Sequence, residues 1–312
     1  MEPINDLKEA ARALASGHLV AFPTETVYGL GADATNPAAV ARIYATKQRP
    51  TDHPLIVHID RFERINSWAI EIPDYAKDLA KAFWPGPMTL ILQRSETAKD
   101  FITGGQPTVG IRIPNHPVAL GLLSEFAALG GLGVAAPSAN RFGKLSPTTA
   151  KAVLTELSDR LGVEDKILDG GASEVGIEST IIDCTKELPS ILRPGAVTAE
   201  MISAVTGLRV SEPDWSIRVS GALEKHYAPN AMIELDTRPK QGDGFLALSH
   251  EATPPGVIRL GAPVDTAEFA KILYDSLRKA DELRLAKVVV LVPNGDELAV
   301  AIEDRLRKAA AR

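Results

Sequence analysis

Leu19-Val-Ala-Phe22 is a short apolar strand that runs through Pro23 into Thr24-Glu-Thr-Val-Tyr-Gly-Leu-Gly31. A buried strand that empties into a loop of two threonines and a glutamate is the start of an α/β arrangement. Loops leaving a sheet are also where sites are built. A plain Pro-Thr turn reads the same way, so this stretch alone does not decide between turn and site. On its N-terminal side, Ile4, Leu7, Ala11 and Leu14 recur at helical spacing and Gly17 stops the run. On its C-terminal side, Asn36-Pro37 is a helix cap with proline in the first turn, and Val40, Ile43 and Tyr44 mark the buried face.

Farther out, strands are expected at Leu55–Ile59, Met88–Leu92, Val109–Ile113, Gly133–Ala136, Ile167–Leu168 and Thr180–Asp183. Helices are expected at Tyr75–Phe83, Val118–Glu125, Thr149–Leu157 and Ala199–Thr206. Strands and helices mixed in one segment predict an α/β or α+β domain, 1–206, with one twisted open sheet. After Gly207 the periodicity lapses, and 207–230 reads as a linker. Strands at Met232–Leu235, Gly244–Leu248, Gly256–Leu260 and Val288–Val292, with helices at Thr266–Leu285 and Glu297–Ala310, then predict a smaller α/β domain over 231–312 with a core of its own.

The 312 residues leave room for two domains. A chain that is 45% hydrophobic and 24% charged is globular, not disordered. A net charge of −6 argues against a protein that coats nucleic acid. The single cysteine, Cys184, excludes an intrachain disulfide and a zinc knuckle, and suits a reducing cytosol. Met1-Glu-Pro-Ile-Asn-Asp has neither a basic nor an apolar leader. The longest mainly apolar stretch, Phe126–Ala139, is too short for a bilayer, which needs about 20 residues. The expectation is a cytoplasmic protein with no membrane partner.

Several residues could carry chemistry. Gly29-x-Gly31-x-x-Ala34 and Gly131-x-Gly133-x-x-Ala136 fit a loose dinucleotide fingerprint, but neither opens a helix after a strand, so they read as turn or close-packing glycines. Lys47 and Arg49 straddle a helix exit that Pro50 blocks. They serve either to complement the helix end or as an anion clamp. His58 lies in an apolar strand, where a lone histidine is usually structural. His53 and His58 face opposite ways and make no metal pair. Arg112 alternates with apolar residues in a half-buried strand. It needs a partner there, either a protein carboxylate or an anionic ligand. Ser138 and Asn140 follow a strand, and Ser138 lacks the GxSxG elbow of a nucleophile. With Arg193, the N-terminal domain holds four internal cations and many hydroxyls. That inventory suits a polyanionic substrate and charge stabilisation in phosphoryl or nucleotidyl transfer.

Phe-Pro-Thr-Glu-Thr-Val-Tyr-Gly-Leu, Lys-x-Arg-Pro, Pro-Leu-Ile-Val-His, Gly-Ile-Arg-Ile-Pro, Pro-Ser-Ala-Asn and Ile-Glu-Ser-Thr-Ile-Ile-Asp occur in that order over about residues 4–206. Together they resemble the YrdC-like domain of the threonylcarbamoyl-AMP synthase family. Ser220-Gly-Ala-Leu-Glu-Lys-His226-Tyr-Ala-Pro229 resembles the linker of its long, two-domain form, and 231–312 its small Rossmann-like C-terminal domain.

The resemblance implies a nucleotidyltransferase that joins L-threonine, bicarbonate and ATP into threonylcarbamoyl-AMP and pyrophosphate. Mg²⁺ would come with the ATP phosphates, with no organic cofactor and no metal ligand from protein side chains. A downstream transferase would then modify tRNA next to the anticodon, so both are transient partners. Carried over, Lys47 and Arg49 are the catalytic pair facing the ATP phosphates. Thr24, Thr26, His58, Arg112, Ala136 and Ser179 match the threonine pocket. His53, Thr108, Ser138, Asn140, Ser146 and Arg193 match the ATP side. Tyr227 reaches over the substrates as part of a lid at Ser220–Pro229. Two other readings stand beside this one. An RNA-binding module fits the cations but not the acidity. A carbamoyltransferase domain of the hydrogenase-maturation type would carry a zinc-finger module that one cysteine excludes.

Overall fold

The computed structural model describes residues 2–221, 226–295 and 297–311. The N-terminal domain is one nine-stranded mixed sheet with helices packed on it. Its strands are β1 (Val20–Phe22), β2 (Gly29–Asp33), β3 (Ile56–His58), β4 (Met88–Gln93), β5 (Thr108–Arg112), β6 (Val134–Ala135), β7 (Lys166–Ile167), β8 (Thr180–Asp183) and β9 (Ser190–Arg193). They lie side by side in the order β7-β1-β2-β6-β3-β5-β4-β8-β9.

Local signals act as the sequence suggests. The Asn36 Oδ1 accepts from the Ala38 and Ala39 amides, and Pro37 opens the helix Pro37–Lys47. Gln48 then adopts φ 54° and ends it, which leaves Lys47 and Arg49 at the helix exit. Two strands went unread. Gly29–Asp33 is glycine-rich, and glycine is depleted in strands. It pairs all the same with β1 and β6, because a Cβ on Gly31 would lie 2.7 Å from Val134 Cγ1 and 2.9 Å from Phe22 Cε1. These glycines permit close sheet packing. Ser190–Arg193 is flanked by prolines and reads as a turn, yet it forms the edge strand beside β8.

The C-terminal domain is a four-stranded parallel sheet of β10 (Met232–Leu235), β11 (Gly244–Leu246), β12 (Ile258–Gly261) and β13 (Lys287–Val290), in the order β10-β13-β11-β12. Helix Thr266–Glu282 joins β12 to β13, and helix Glu297–Ala310 follows. No helix separates β10, β11 and β12, so the unit alternates strand and helix only in its second half.

It has a core of its own, with Phe245, Ala247 and Val289 on one side of its sheet, and a larger cluster that other parts of the chain help to complete. Val27, Leu145 and Ile177 of the N-terminal domain and Tyr227 of the linker are buried in one cluster with Ile233, Phe269, Leu273, Tyr274 and Leu306. The linker is pinned as well. Gln106 bonds both the amide (2.7 Å) and the carbonyl (3.0 Å) of Arg218, and Val219 packs with Ile91, Ile181 and Leu192. Of the expected Ser220–Pro229 lid, residues 222–225 lie outside the described residues.

Candidate active site

Strand ends and register assemble the site. β3 and β5 run parallel with His58 opposite Arg112, and β6 runs antiparallel to β3, which brings Ala136–Ser138 to the same edge. β1 delivers Thr24 and Thr26, the start of β8 brings Glu178 and Ser179, and β9 ends at Arg193. These residues surround a cavity, completed by Arg49, Ser220, Gly221, His226 and Tyr227.

Two nitrogens of the Arg112 side chain are hydrogen-bonded, and the third has a charge beside it but no aligned bond among the described residues. Its Nη1 donates to Thr26 Oγ1 (2.9 Å), its Nε to the Gly86 carbonyl (3.3 Å), and its Nη2 lies 2.8 Å from Glu25 Oε1. The counter-charge that a buried arginine needs is therefore a protein carboxylate. The Thr24 and Thr26 hydroxyls touch at 2.8 Å. Burial, with the Arg112 charge beside it, pushes the His58 imidazole down to about 3, so it is neutral at pH 7. Its Nδ1 has no hydrogen-bond partner among the described residues.

Arg49 Nη2 donates to the Pro54 carbonyl (3.0 Å) and to Ser220 Oγ (3.1 Å), while its Nε is buried without a hydrogen-bond partner among the described residues. Burial lowers it to about 10, which leaves it charged at neutral pH. Arg193 Nε and Nη2 donate to the Ser179 carbonyl and Nη1 to that of Ser220. Three guanidinium groups thus line one cavity with hydroxyls and an apolar wall of Val27, Ile56, Ala136 and Pro137. That combination recognises a ligand with more than one anionic group.

All six residues matched to the threonine pocket line this cavity, as do Arg49, Ser138, Arg193 and Tyr227. The other five residues named on the ATP side are not among its lining residues. Lys47 is fully buried, and its ammonium donates to the Ser138 (2.6 Å) and Asn140 carbonyls. Burial, then the Arg49 charge, pulls it well below the ordinary lysine value. The lysine anchors the Pro-Ser-Ala-Asn turn instead of pointing into the cavity. The Asn140 amide donates to the Arg141 and Lys144 carbonyls, and the Ser146 hydroxyl to Glu178 Oε1 (2.6 Å). His53 packs edge-on against Phe142, and Thr108 borders a smaller neighbouring cavity with Gln106 and Arg218.

Sequence reading missed Glu25, Glu178, Tyr274 and Arg305. Arg305 carried a signal. It sits on the apolar face of its helix between Ile302 and Leu306, and a charge on such a face must have a buried partner.

Two family models match the chain. One, described as Telomere recombination, matches residues 12–195. The other, described as Threonylcarbamoyl-AMP synthase, C-terminal domain, matches residues 197–311. The threonylcarbamoyl-AMP synthase of Pyrococcus abyssi is 40% identical over 97% of this chain and 94% of its own length. The protein of the same name from Bacillus subtilis is 38% identical, over 97% and 92%. The crystal structure of P. abyssi Sua5 complexed with L-threonine aligns with a TM-score of 0.87 at 38% identity, covering 97% of this chain and 94% of that one. Among the described residues, no helix is long and apolar enough to cross a membrane.

Proposed function

The chain belongs to the threonylcarbamoyl-AMP synthase family, a family of transferases, and from that premise we propose that its cavity condenses L-threonine, bicarbonate and ATP by nucleotidyl transfer. The observation that carries the reading is the shared cavity of Arg112, His58, Thr24 and Thr26 with Arg49 and Arg193. The Arg112 fork takes the threonine carboxylate, and the threonine hydroxyls take its polar groups. Threonine's amine condenses with bicarbonate, releasing water, to give N-carboxythreonine. An oxygen of the new carboxylate attacks the α-phosphorus of ATP, the bond to the β-phosphate oxygen breaks, and pyrophosphate leaves.

Arg49 and Arg193 hold phosphate oxygens while charge builds up at the α-phosphoryl group. Lys47 acts from behind, by fixing the Ser138 turn. His58 stays neutral and offers hydrogen bonds, not charge. Among the described residues no group of three or more His, Cys, Asp or Glu could hold a metal, and Glu25 and Glu178 are each paired with an arginine. Mg²⁺ would arrive on the ATP phosphates, as part of the substrate. The product serves tRNA modification next to the anticodon through a downstream threonylcarbamoyl transferase, and all these steps belong in the cytoplasm.

Pyrophosphate release from ATP tests the reading. It should require both threonine and bicarbonate, because the attacking carboxylate exists only after both have reacted. Serine should support slower release, since one methyl group is worth about 1–3 kcal/mol. Equal release with serine, or release without any amino acid, would sink the assignment.

A further inference from the structure

Glu178 borders the cavity, and its carboxylate is held mainly from the other domain. Oε2 accepts from Arg305 Nε (2.8 Å) and from the Tyr274 hydroxyl (2.9 Å), and Oε1 accepts from Ser146 (2.6 Å). Arg305 is 1% exposed and Tyr274 1%, so neither is a surface contact. Arg305 reaches further. Its Nη2 donates to the Pro194 carbonyl (2.9 Å), one residue past Arg193, and its guanidinium lies 5.5 Å from the centre of the Tyr227 ring. The Tyr274 ring packs on Tyr227 from 5.7 Å.

Tyr227 needs such bracing. It is a bulky residue at φ 59°, a left-handed conformation that persists only where the surroundings impose it. Its hydroxyl is buried with no hydrogen-bond partner among the described residues, close enough to Gly221 that a Cβ there would collide with it. Arg193, on the other flank, bonds the carbonyl of Ser179, the residue after Glu178. One arginine of the C-terminal domain thus touches both ends of the frame that carries Arg193 and Tyr227.

We propose that the C-terminal domain supplies positioning residues to the active site: Arg305 and Tyr274 hold the Glu178 carboxylate and through it set Arg193 and Tyr227 for the nucleotide. This rests on the synthase reading above. The threonine side needs no such help, because the Thr26 hydroxyl and the Gly86 carbonyl hold Arg112 within the N-terminal domain. A comparison variant exists. Arg278 makes an interdomain ion pair with Glu156 (2.9 Å) and donates to the Leu145 carbonyl (3.3 Å), and it makes no bond to the Glu178 carboxylate.

The test uses the full chain with Arg305→Lys, Tyr274→Phe or Arg278→Met. It reads KM for ATP and for threonine, kcat, and hydrogen exchange at the His226 and Ala228 amides, which bond the Lys308 and Gly143 carbonyls. Arg305→Lys should raise KM for ATP about tenfold and Tyr274→Phe about threefold, the loss of a charge-assisted and of a single hydroxyl bond respectively. KM for threonine should stay within about twofold. Exchange at the two amides should speed up in both variants and not in Arg278→Met. Should Arg305→Lys fail to fold, Tyr274→Phe removes a single oxygen and carries the test. If KM for ATP is unchanged and only the active fraction falls, or if Arg278→Met matches the other two, the cluster is mere domain glue and the proposal is wrong. If the parent protein shows no threonine-dependent reaction, the synthase reading fails instead, and the exchange comparison still decides the positioning role.

Discussion

The molecule holds two buried arginine–carboxylate pairs beside one cavity, and they are built differently. Glu178 and Arg305 meet at 2.8 Å, and both carboxylate oxygens accept well-aligned hydrogen bonds. Burial alone would raise the Glu178 carboxyl, but the Arg305 and Arg193 charges and the Ser146 hydroxyl outweigh it and hold it at about 2. Glu25 and Arg112 also meet at 2.8 Å, yet neither Glu25 oxygen accepts an aligned hydrogen bond among the described residues. Attraction offsets the cost of burying two charges only where the remaining lone pairs are satisfied. The first pair is closed and serves as a joint between domains. The second is under-bonded, and its arginine faces the cavity with capacity left for a ligand carboxylate.

The largest effect should come from opening the under-bonded pair. Arg112→Ala should lower kcat/KM for threonine by on the order of 10²–10³. It should also destabilise the fold by about 3–5 kcal/mol, because Glu25 is left buried and alone. Adding Glu25→Gln should restore much of the stability in a urea melt and none of the turnover. Recovery of turnover in the double variant would mean that Arg112 only compensates Glu25.

Acid should separate the two regions. His58 and His226 are held near 3 chiefly by burial, so they gain a proton only on unfolding. Their stabilisation is complete above pH 6.5 and is lost as pH falls toward 3. Each contributes a slope of at most about 1.4 kcal/mol per pH unit in that window. Glu178, held at about 2 against an ordinary 4.5, stabilises above 4.5 and loses that contribution as pH falls to 2. His58→Gln should therefore flatten the pH dependence of the urea midpoint between pH 6.5 and 5, and Glu178→Gln only below about 4.5. A reversed order would show that the carboxylates carry the early acid loss.

The smallest effect should be the most telling about ligand capacity. Glu25→Gln keeps the shape and removes the competing charge. KM for threonine should fall about threefold, or roughly 0.6 kcal/mol. A rise would mean that Glu25 holds Arg112 in place for the substrate instead of competing with it.

Much of this was legible in the sequence, and the limits have physical causes. Asn36-Pro37, the β-branched runs and the final helix announce themselves through local rules, and their boundaries differ from the structure by a residue or two. The threonine-side residues lie in motifs whose order is informative. Lys47 was legible as a cation at a helix exit, but not its direction. Only the fold shows that the Ser138 and Asn140 carbonyls converge there. The Glu178 cluster joins positions 32, 96 and 127 residues apart, a distance over which no periodicity speaks. The C-terminal segment was expected to bury its own core. Val27, Leu145 and Ile177 complete that core from the other domain, because the linker folds back along the first sheet before the second begins.

The separation between Glu178 and Arg305 also has a history in time. Ribosomes add roughly 5–20 residues per second, so the 127 residues between them take on the order of 6–25 s to emerge. Throughout that interval the nascent N-terminal sheet carries a carboxylate whose ion-pair partner has not yet been translated. The first domain can collapse early, but its cavity cannot be sealed until the last helix arrives. Premature termination between the two domains would release a chain whose Glu178 lacks Arg305 and whose Val27, Leu145 and Ile177 lack the C-terminal side chains that bury them, a pattern that cellular quality control is equipped to detect.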